Sequence, residues 1–377
     1  MIPVNAPALG PRELELVTDC VRSGWVSSAG KYIEAFESGW AARCGRRYGV
    51  AVSNGTTALQ VAIRSLGIGP GDEVIIPTFT IISCALAVLD VGATPVLVDA
   101  DPHTWCMDVE QVSDRLTDRT KAVMPVHIYG HPVDLDPLLR FAEQRGVAIV
   151  EDAAEAHGAE YLAGRGGETP AWKACGSFGE VSAFSFYANK LITTGEGGMV
   201  VTDDPALAQK ARSLRNLCFV PERRFLHREL GYNYRMTNLQ AALGVAQLER
   251  FSQIVARKRA IATRYSSGLA GVSCVRLPVE RDWARSVYWM YGLVLERDAG
   301  IDAAEAMLRL SHEGVETRPF FLGMHRQPVL RDRGLFAGEA YPVADEIAER
   351  GFYIPSGVAL SEPEIDRVID AIRRVLS

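Results

Sequence analysis

From about residue 50 the chain alternates short apolar runs with longer segments of helical period. Residues 50–53, 73–76, 95–98, 122–126 and 147–150 read as buried strands, each rich in Val, Ile or Ala and closed by Gly, Pro, Asp or Ser. Between them, apolar positions recur at helical spacing over residues 58–66, 83–89, 109–116 and 135–145. Two helices precede this block, at 11–22 with Pro11 in its first turn and at 31–44. Another follows at 205–216, and a long one at 239–265 with Thr237 or Asn238 as its cap. Strand and helix in regular turn imply right-handed crossovers and a mostly parallel sheet covered on both faces. Ligands of such sheets gather at the carboxyl ends of the strands.

Past the long helix the rhythm changes. Residues 270–286 are broken by Pro and Gly; 287–295 and 315–318 look strand-like, and helices are expected at 303–312, 343–350 and 363–376. The expected division is a large domain over 1–254 and a smaller one over 255–377. Residues 222–230 are charged and irregular, and no element is assigned to them.

Three stretches carry chemistry. Phe184-Ser185-Phe186-Tyr187-Ala188-Asn189-Lys190 runs into a Thr/Gly segment ending at Gly198, and then into Met199-Val200-Val201. A lysine on a turn between two apolar strands is either an ordinary surface residue or a desolvated, nucleophilic amine. Ser53-Asn54-Gly55-Thr56-Thr57 joins a strand to a helix start, which is either an anion site or a simple N-cap. It contains neither Gly-x-Gly-x-x-Gly nor Gly-Lys-Ser/Thr, so a dinucleotide site and a P-loop are not indicated. Glu151-Asp152-Ala153-Ala154-Glu155-Ala156-His157 closes a strand with carboxylates that need partners if buried. A metal site lacks a second ligand cluster; a carboxylate holding a proton on a heterocyclic nitrogen fits better beside the lysine.

Composition narrows the field. With 48% hydrophobic and 23% charged residues, the chain is an ordinary folded protein. A net charge of -6 without any long basic run argues against nucleic acid as a partner. Cysteines at 20, 44, 84, 106, 175, 218 and 274 show no Cys-x-x-Cys spacing, which suits reduced thiols and argues against zinc and a disulfide framework. The most apolar stretch, 74–89, is interrupted by Pro77, Thr78, Thr80 and Ser83, too polar to span a bilayer. With no basic head or apolar run in Met1-Ile2-Pro3-Val4-Asn5, a cytoplasmic location is expected.

Taken together, the Asn54, Asp152 and Lys190 motifs and Gly231-Tyr232-Asn233-Tyr234-Arg235-Met236-Thr237-Asn238 closely resemble the DegT/StrS-type sugar aminotransferases. The likeness covers nearly the whole chain. Gly24-Trp25-Val26-Ser27-Ser28, 193–202 and Glu316-Thr317-Arg318-Pro319 are most similar to the perosamine-forming branch of that family. The resemblance implies an α/β, aspartate aminotransferase-like fold (fold type I) with a small C-terminal α+β domain. It also implies pyridoxal 5'-phosphate (PLP), L-glutamate as amino donor, a nucleotide-linked 4-keto-6-deoxy sugar as acceptor, and a homodimer with shared sites.

On that resemblance Lys190 joins the cofactor covalently and, once released, carries the proton. Asp152 pairs with the ring nitrogen, and Glu155 reaches the ring hydroxyl, where many relatives have Gln. Gly55, Thr56 and Ser185 hold the phosphate, and Asn238 crosses to the neighbouring subunit's phosphate. The ring lies between Ala154 and Ile81, a position where relatives commonly have an aromatic residue. Ser27, Tyr129, Arg318 and His325 are candidate substrate contacts. Two other readings remain: transfer to a different keto sugar or aminocyclitol precursor, and a PLP-binding regulator without turnover. Family members with His in place of the lysine dehydrate the sugar; Lys190 stands against that branch.

Overall fold

The computed structural model describes residues 1–165, 167 and 169–376. Its seven-stranded sheet has the spatial order Tyr48–Val52, Gly198–Thr202, Val181–Ser185, Ala148–Asp152, Thr120–Val123, Glu73–Pro77, Thr94–Val98. From Val181–Ser185 to Thr94–Val98 every neighbouring pair is parallel. Gly198–Thr202 alone runs against both of its neighbours. The strands are almost wholly buried, which is why they read as continuous apolar runs instead of alternating ones.

The reversed strand sets the position of the lysine. Val181–Ser185 ends beside the carboxyl end of Ala148–Asp152, and the chain turns through Lys190 before returning antiparallel. Backbone geometry makes the return possible: Gly195 takes φ 80°. Gly198 packs so closely on the Asn54 carbonyl that any side chain there would collide with it.

A second, four-stranded antiparallel sheet contains Val275–Arg276, Tyr291–Leu295, Gly351–Ile354 and Arg318–Pro319. Helices Ala303–His312 and Glu362–Val375 cover it, forming a separate apolar core with Ile261, Tyr265, Leu293 and Ile372. Ile2 belongs to this core too, bridging to Val315. The Val4 amide donates to Glu316 Oε2 at 2.9 Å and its carbonyl accepts from the Ser356 amide at 3.0 Å.

Several elements differ from expectation for local reasons. The helix expected from residue 58 starts at Gly55, because the Asn54 side chain accepts from the Thr57 amide at 2.9 Å and so caps it three residues earlier. The single helix at 239–265 is two, Asn238–Glu249 and Phe251–Leu269. Arg250 between them leaves helical geometry at φ -115°, ψ 16°, where its guanidinium meets the Ala8 carbonyl and Glu13 Oε1. Residues 109–116 form a 3-10 segment, Val109–Arg115. The charged 222–230 stretch contributes Arg223–His227 to a small hairpin with Phe219–Val220. Strands Glu160–Ala163 and Ala171–Ala174 had no counterpart in the sequence reading; they pair with each other, and Ala284–Arg285 pairs with the first.

Under the strand end lies a saturated buried carboxylate. Glu151 Oε1 accepts from His127 Nε2 at 2.7 Å and the Gly176 amide at 2.5 Å; Oε2 accepts from the Phe178 amide and Ser182 Oγ, both at 3.0 Å. His127 Nδ1 accepts from the Val133 amide at 3.0 Å, which leaves the ring proton on Nε2, facing Glu151. Among the described residues, His127, Glu151 and Cys175 are the one group of potential metal ligands brought together. Both Glu151 oxygens are already filled by protein donors.

Burial alone would raise the Glu151 pKa, but the His127 hydrogen bond and the two amides outweigh it and hold the group below its usual range. A depressed folded pKa adds stability that is complete above the unfolded carboxylate value, about 4.3, and is lost as the pH falls through the folded one. Glu151→Ala strands four buried donors and should cost about 3–5 kcal/mol at pH 7, read by denaturant unfolding. The deficit should shrink below about pH 4; a constant deficit across that range would sink this account.

Candidate active site

A pocket of about 580 Å³ opens between the carboxyl ends of the central strands and the start of helix Gly55–Ser65. That volume suits a cofactor-sized ligand. Gly55, Thr56 and Ser185 line the pocket. Asn54 satisfies the Thr57 amide, whereas the Gly55 and Thr56 amides have no acceptor within the helix and carry its positive pole. Thr56 Oγ1 and Ser83 Oγ are hydrogen-bonded at 2.8 Å along the same wall. A Cβ on Gly55 would lie 2.6 Å from Ser185 Cβ, so only glycine lets the two chains meet there.

The pocket also carries charge. Asp152, Glu155 and Lys190 all line the pocket. Asp152 Oδ1 accepts from the Ala154 amide at 3.0 Å. Burial raises its pKa, opposed by that amide, by Cys84 and by the charge of Lys190. Glu155 Oε2 accepts from the Tyr129 amide at 2.7 Å, and Oε1 lies 3.8 Å from Lys190 Nζ. Burial lifts the Glu155 pKa to about 7 against the pull of Lys190. The Lys190 pKa is lowered by burial, which outweighs the two carboxylates. The amine is therefore easier to deprotonate than a surface lysine, and a carboxylate that shares a proton stands beside it.

Ile81 and Ala154 also line the pocket, Ile81 at its mouth and 45% exposed. Tyr129 is buried, with φ 50° in the left-handed region; it reaches the site through its amide to Glu155. Three candidates lie elsewhere. His325 is locked in packing, with Nδ1 2.8 Å from Thr78 Oγ1 and Nε2 3.1 Å from Asp345 Oδ1. Arg318 is exposed and ion-paired with Glu316. Ser27 is exposed on the Trp25 loop, its carbonyl accepting from the Asn238 amide at 2.6 Å. Asn238 is also outside this pocket: Oδ1 accepts from the Tyr32 amide at 3.0 Å and Nδ2 donates to the Trp25 carbonyl at 2.8 Å.

The structure adds residues that no local motif carries. The Trp289 ring lies 3.5 Å from Lys190 Nζ, and its Nε1 donates to the Asn189 carbonyl at 2.8 Å. Asn5 Nδ2 donates to that same carbonyl at 2.5 Å. Phe321 and Tyr353 complete the aromatic wall. They come from segments a hundred or more residues beyond Lys190, and their only trace in the sequence is aromatic residues in otherwise ordinary stretches.

This donor set fits a phosphorylated pyridine aldehyde. Open helix-start amides and hydroxyls suit a phosphate, a buried carboxylate suits a ring N–H, and a desolvated amine suits an aldehyde carbon. Asn189 Oδ1 is buried without a hydrogen-bond partner at the same wall.

Comparison with known proteins agrees with the geometry. The chain is 42% identical over 376 residues to GDP-perosamine synthase of Caulobacter vibrioides, covering 100% of this chain and 98% of that protein. It is 38% identical over 373 residues to dTDP-3-amino-3,4,6-trideoxy-alpha-D-glucose transaminase of Streptomyces venezuelae, covering 96% and 92%. Among solved structures, the aminotransferase TlmJ from Streptoalloteichus hindustanus matches with a TM-score of 0.90 at 33% identity, covering 100% of this chain and 99% of that one. The profile of the DegT/DnrJ/EryC1/StrS aminotransferase family matches residues 7–373. The chain belongs to that family and is a PLP-dependent aminotransferase.

Proposed function

We propose that the protein moves the amino group of L-glutamate to a nucleotide-linked 4-keto-6-deoxy sugar, in the manner of a GDP-perosamine synthase. The observation that carries this reading is the buried Lys190–Glu155–Asp152 group facing an open helix start across one pocket. The similarity to a perosamine synthase over the full chain supports the choice of sugar.

In this reading Gly55, Thr56 and Ser185 hold the phosphate of PLP. Ile81 and Ala154 would flank its ring, Asp152 would pair with the ring nitrogen, and Glu155 would meet the ring hydroxyl. PLP supplies an electron sink for the carbon that bears the amino group. Lys190 takes the proton from that carbon and returns it one atom away. Asp152 keeps the ring nitrogen protonated, since a buried carboxylate gains most by sharing a charge with an N–H. Glu155 accepts or returns the proton that Lys190 sheds. Trp289 excludes water from the amine and steadies its charged form.

Donor and acceptor use the same site in turn. Lys190 is the one cation among the described side chains lining the pocket, so the carboxylates of glutamate and the diphosphate of a sugar nucleotide call for more positive charge. That shortage supports a homodimer in which a second copy completes each site. For Asn238 to reach a partner's phosphate it must exchange its bonds to Tyr32 and Trp25, and Arg318, though exposed, must exchange its ion pair with Glu316; Ser27 is exposed. Residues 255–377 act as the smaller domain, and their separate apolar core supports the division. A cytoplasmic location is supported by the seven unpaired cysteines. Among the described residues no helix is long and apolar enough to cross a membrane.

A second reading keeps the chemistry and changes the sugar. Ile81 at the pocket mouth is aliphatic where an aromatic ring is usual in the family, and the 38% identical relative acts on a dTDP sugar by its name. A panel of GDP- and dTDP-linked keto sugars, assayed by consumption of L-glutamate, separates the two. Turnover of the GDP-linked 4-keto-6-deoxy sugar should exceed that of any dTDP sugar at least tenfold, and the reverse order would overturn the perosamine assignment.

Adding L-glutamate to the PLP-loaded protein should bleach its visible band, and Lys190→Ala should slow that change by at least about a thousandfold. A variant as fast as wild type would remove Lys190 from the reaction. Glu155→Gln deletes a charge that raises the Lys190 pKa. The pH profile for recapture of PLP by the apo-protein should therefore move to lower pH; a shift upward would contradict the assigned electrostatics.

A further inference from the structure

Asp152 is braced from behind by a side chain that the chemistry above does not use. Cys84 sits in the first turn of helix Ser83–Asp90, fully buried, with Sγ 3.2 Å from Asp152 Oδ2. On the far side of the sulfur, Thr80 Oγ1 lies at 3.5 Å. Burial and the adjacent carboxylate push the thiol well above its usual pKa, so the sulfur keeps its proton. An ionised carboxylate can only accept, so the S–H donates to Oδ2 and the Thr80 hydroxyl can donate to the sulfur. Oδ1 is already engaged by the Ala154 amide at 3.0 Å. Each oxygen thus has a protein donor, and the carboxylate plane is fixed from two directions with lone pairs left for the pocket.

The same helical turn makes a second contact in the pocket wall. Ser83, one residue earlier, is hydrogen-bonded to Thr56 Oγ1 at 2.8 Å. Lys190, Glu155 and His127 also face this region as charges or titratable groups, but none of them donates a hydrogen bond to the Asp152 carboxylate; the His127 amide bonds only its backbone carbonyl, at 3.2 Å. A bland account is available: a small buried thiol filling space beneath the sheet.

We propose that Cys84 is a positioning residue, orienting Asp152 through its S–H so that the carboxylate meets the ring nitrogen of PLP. This rests on the cofactor seating proposed above. The two accounts differ in one respect that can be measured. Positioning matters only to a ring that has a nitrogen, whereas packing matters to any ring of that shape.

The test titrates apo-protein with PLP and with 1-deaza-PLP, in which a C–H replaces the ring nitrogen, and compares wild type, Cys84→Ala and Cys84→Ser. Wild type should bind PLP more tightly than the deaza compound. Cys84→Ala should weaken PLP about tenfold, in the range of a hydrogen bond to a charged group given by a weak donor, and the deaza compound less than twofold. Cys84→Ser, whose hydroxyl donates to the same oxygen, should return PLP binding to within about threefold of wild type.

Equal losses for both compounds, no loss in Cys84→Ala, or a serine variant as poor as alanine would each overturn the proposal. If Cys84→Ala does not fold, Cys84→Ser decides, since loss of its preference for PLP over the deaza compound is the same refutation. A wild type that binds PLP with that preference but exchanges no amino group with glutamate would sink the functional proposal and leave Cys84 standing. A wild type with no preference would sink the seating of Asp152 and Cys84 with it.

Discussion

Removing three carboxylates and an ammonium from water at neighbouring strand ends is the constraint on which the rest of this molecule depends. Glu151, Asp152 and Glu155 lie within five consecutive residues, all buried, and Lys190 comes to them from the next strand turn. Their neighbours satisfy them unequally. Glu151 has four donors and is held ionised. Asp152 has two, from the Ala154 amide and the Cys84 thiol. Glu155 has a single amide and an amine 3.8 Å away, and its pKa climbs to about 7. Structural weight and chemical readiness thus trade off along one short segment: the fully bonded carboxylate secures the strand end and the poorly bonded one stays able to exchange a proton.

Sheet topology supplies the geometry that this gradient needs. A lysine following a parallel strand would ordinarily be carried off into a crossover helix. Here the chain reverses after Val181–Ser185 and returns as Gly198–Thr202, so the intervening turn stays over the carboxyl end of its own sheet. The helix start at Gly55 stands across from it, its approach to Ser185 allowed by the missing Cβ. Distances within the site are therefore set by strand spacing and by two glycines more than by the reactive side chains themselves.

How much of this could be read from the sequence follows the range of the interactions. Asp152, Glu155, Lys190, Gly55, Thr56 and Ser185 sit in short motifs whose meaning is local: a strand end, a turn, a helix start. All six line the pocket. Trp289, Phe321 and Tyr353 reach it from the second sheet and its connections, and nothing in their own neighbourhoods distinguishes them from core residues. His325 and Asn238 lie outside the pocket of the single chain, their side chains engaged by Thr78 and Asp345, or by Tyr32 and Trp25, contacts that no local motif announces. The break at Arg250 was hidden because arginine is a good helix former, and only Glu13 and the Ala8 carbonyl, far away in sequence, draw it out of line.

The first residues have a consequence for how the protein is made. Ile2 bridges to Val315, Val4 bonds Glu316 and Ser356, and Asn5 reaches the carbonyl beside the reactive lysine. On the ribosome Asn5 precedes Asn189 by 184 positions, whereas Ile2 and Val4 leave the exit tunnel more than 300 positions ahead of Val315 and Glu316, and so wait unpaired through most of synthesis. The large sheet can close before that, since all of its strands lie before residue 203. Tyr353, on the final strand, joins the pocket lining last, so an incomplete nascent chain lacks part of the aromatic wall of the site.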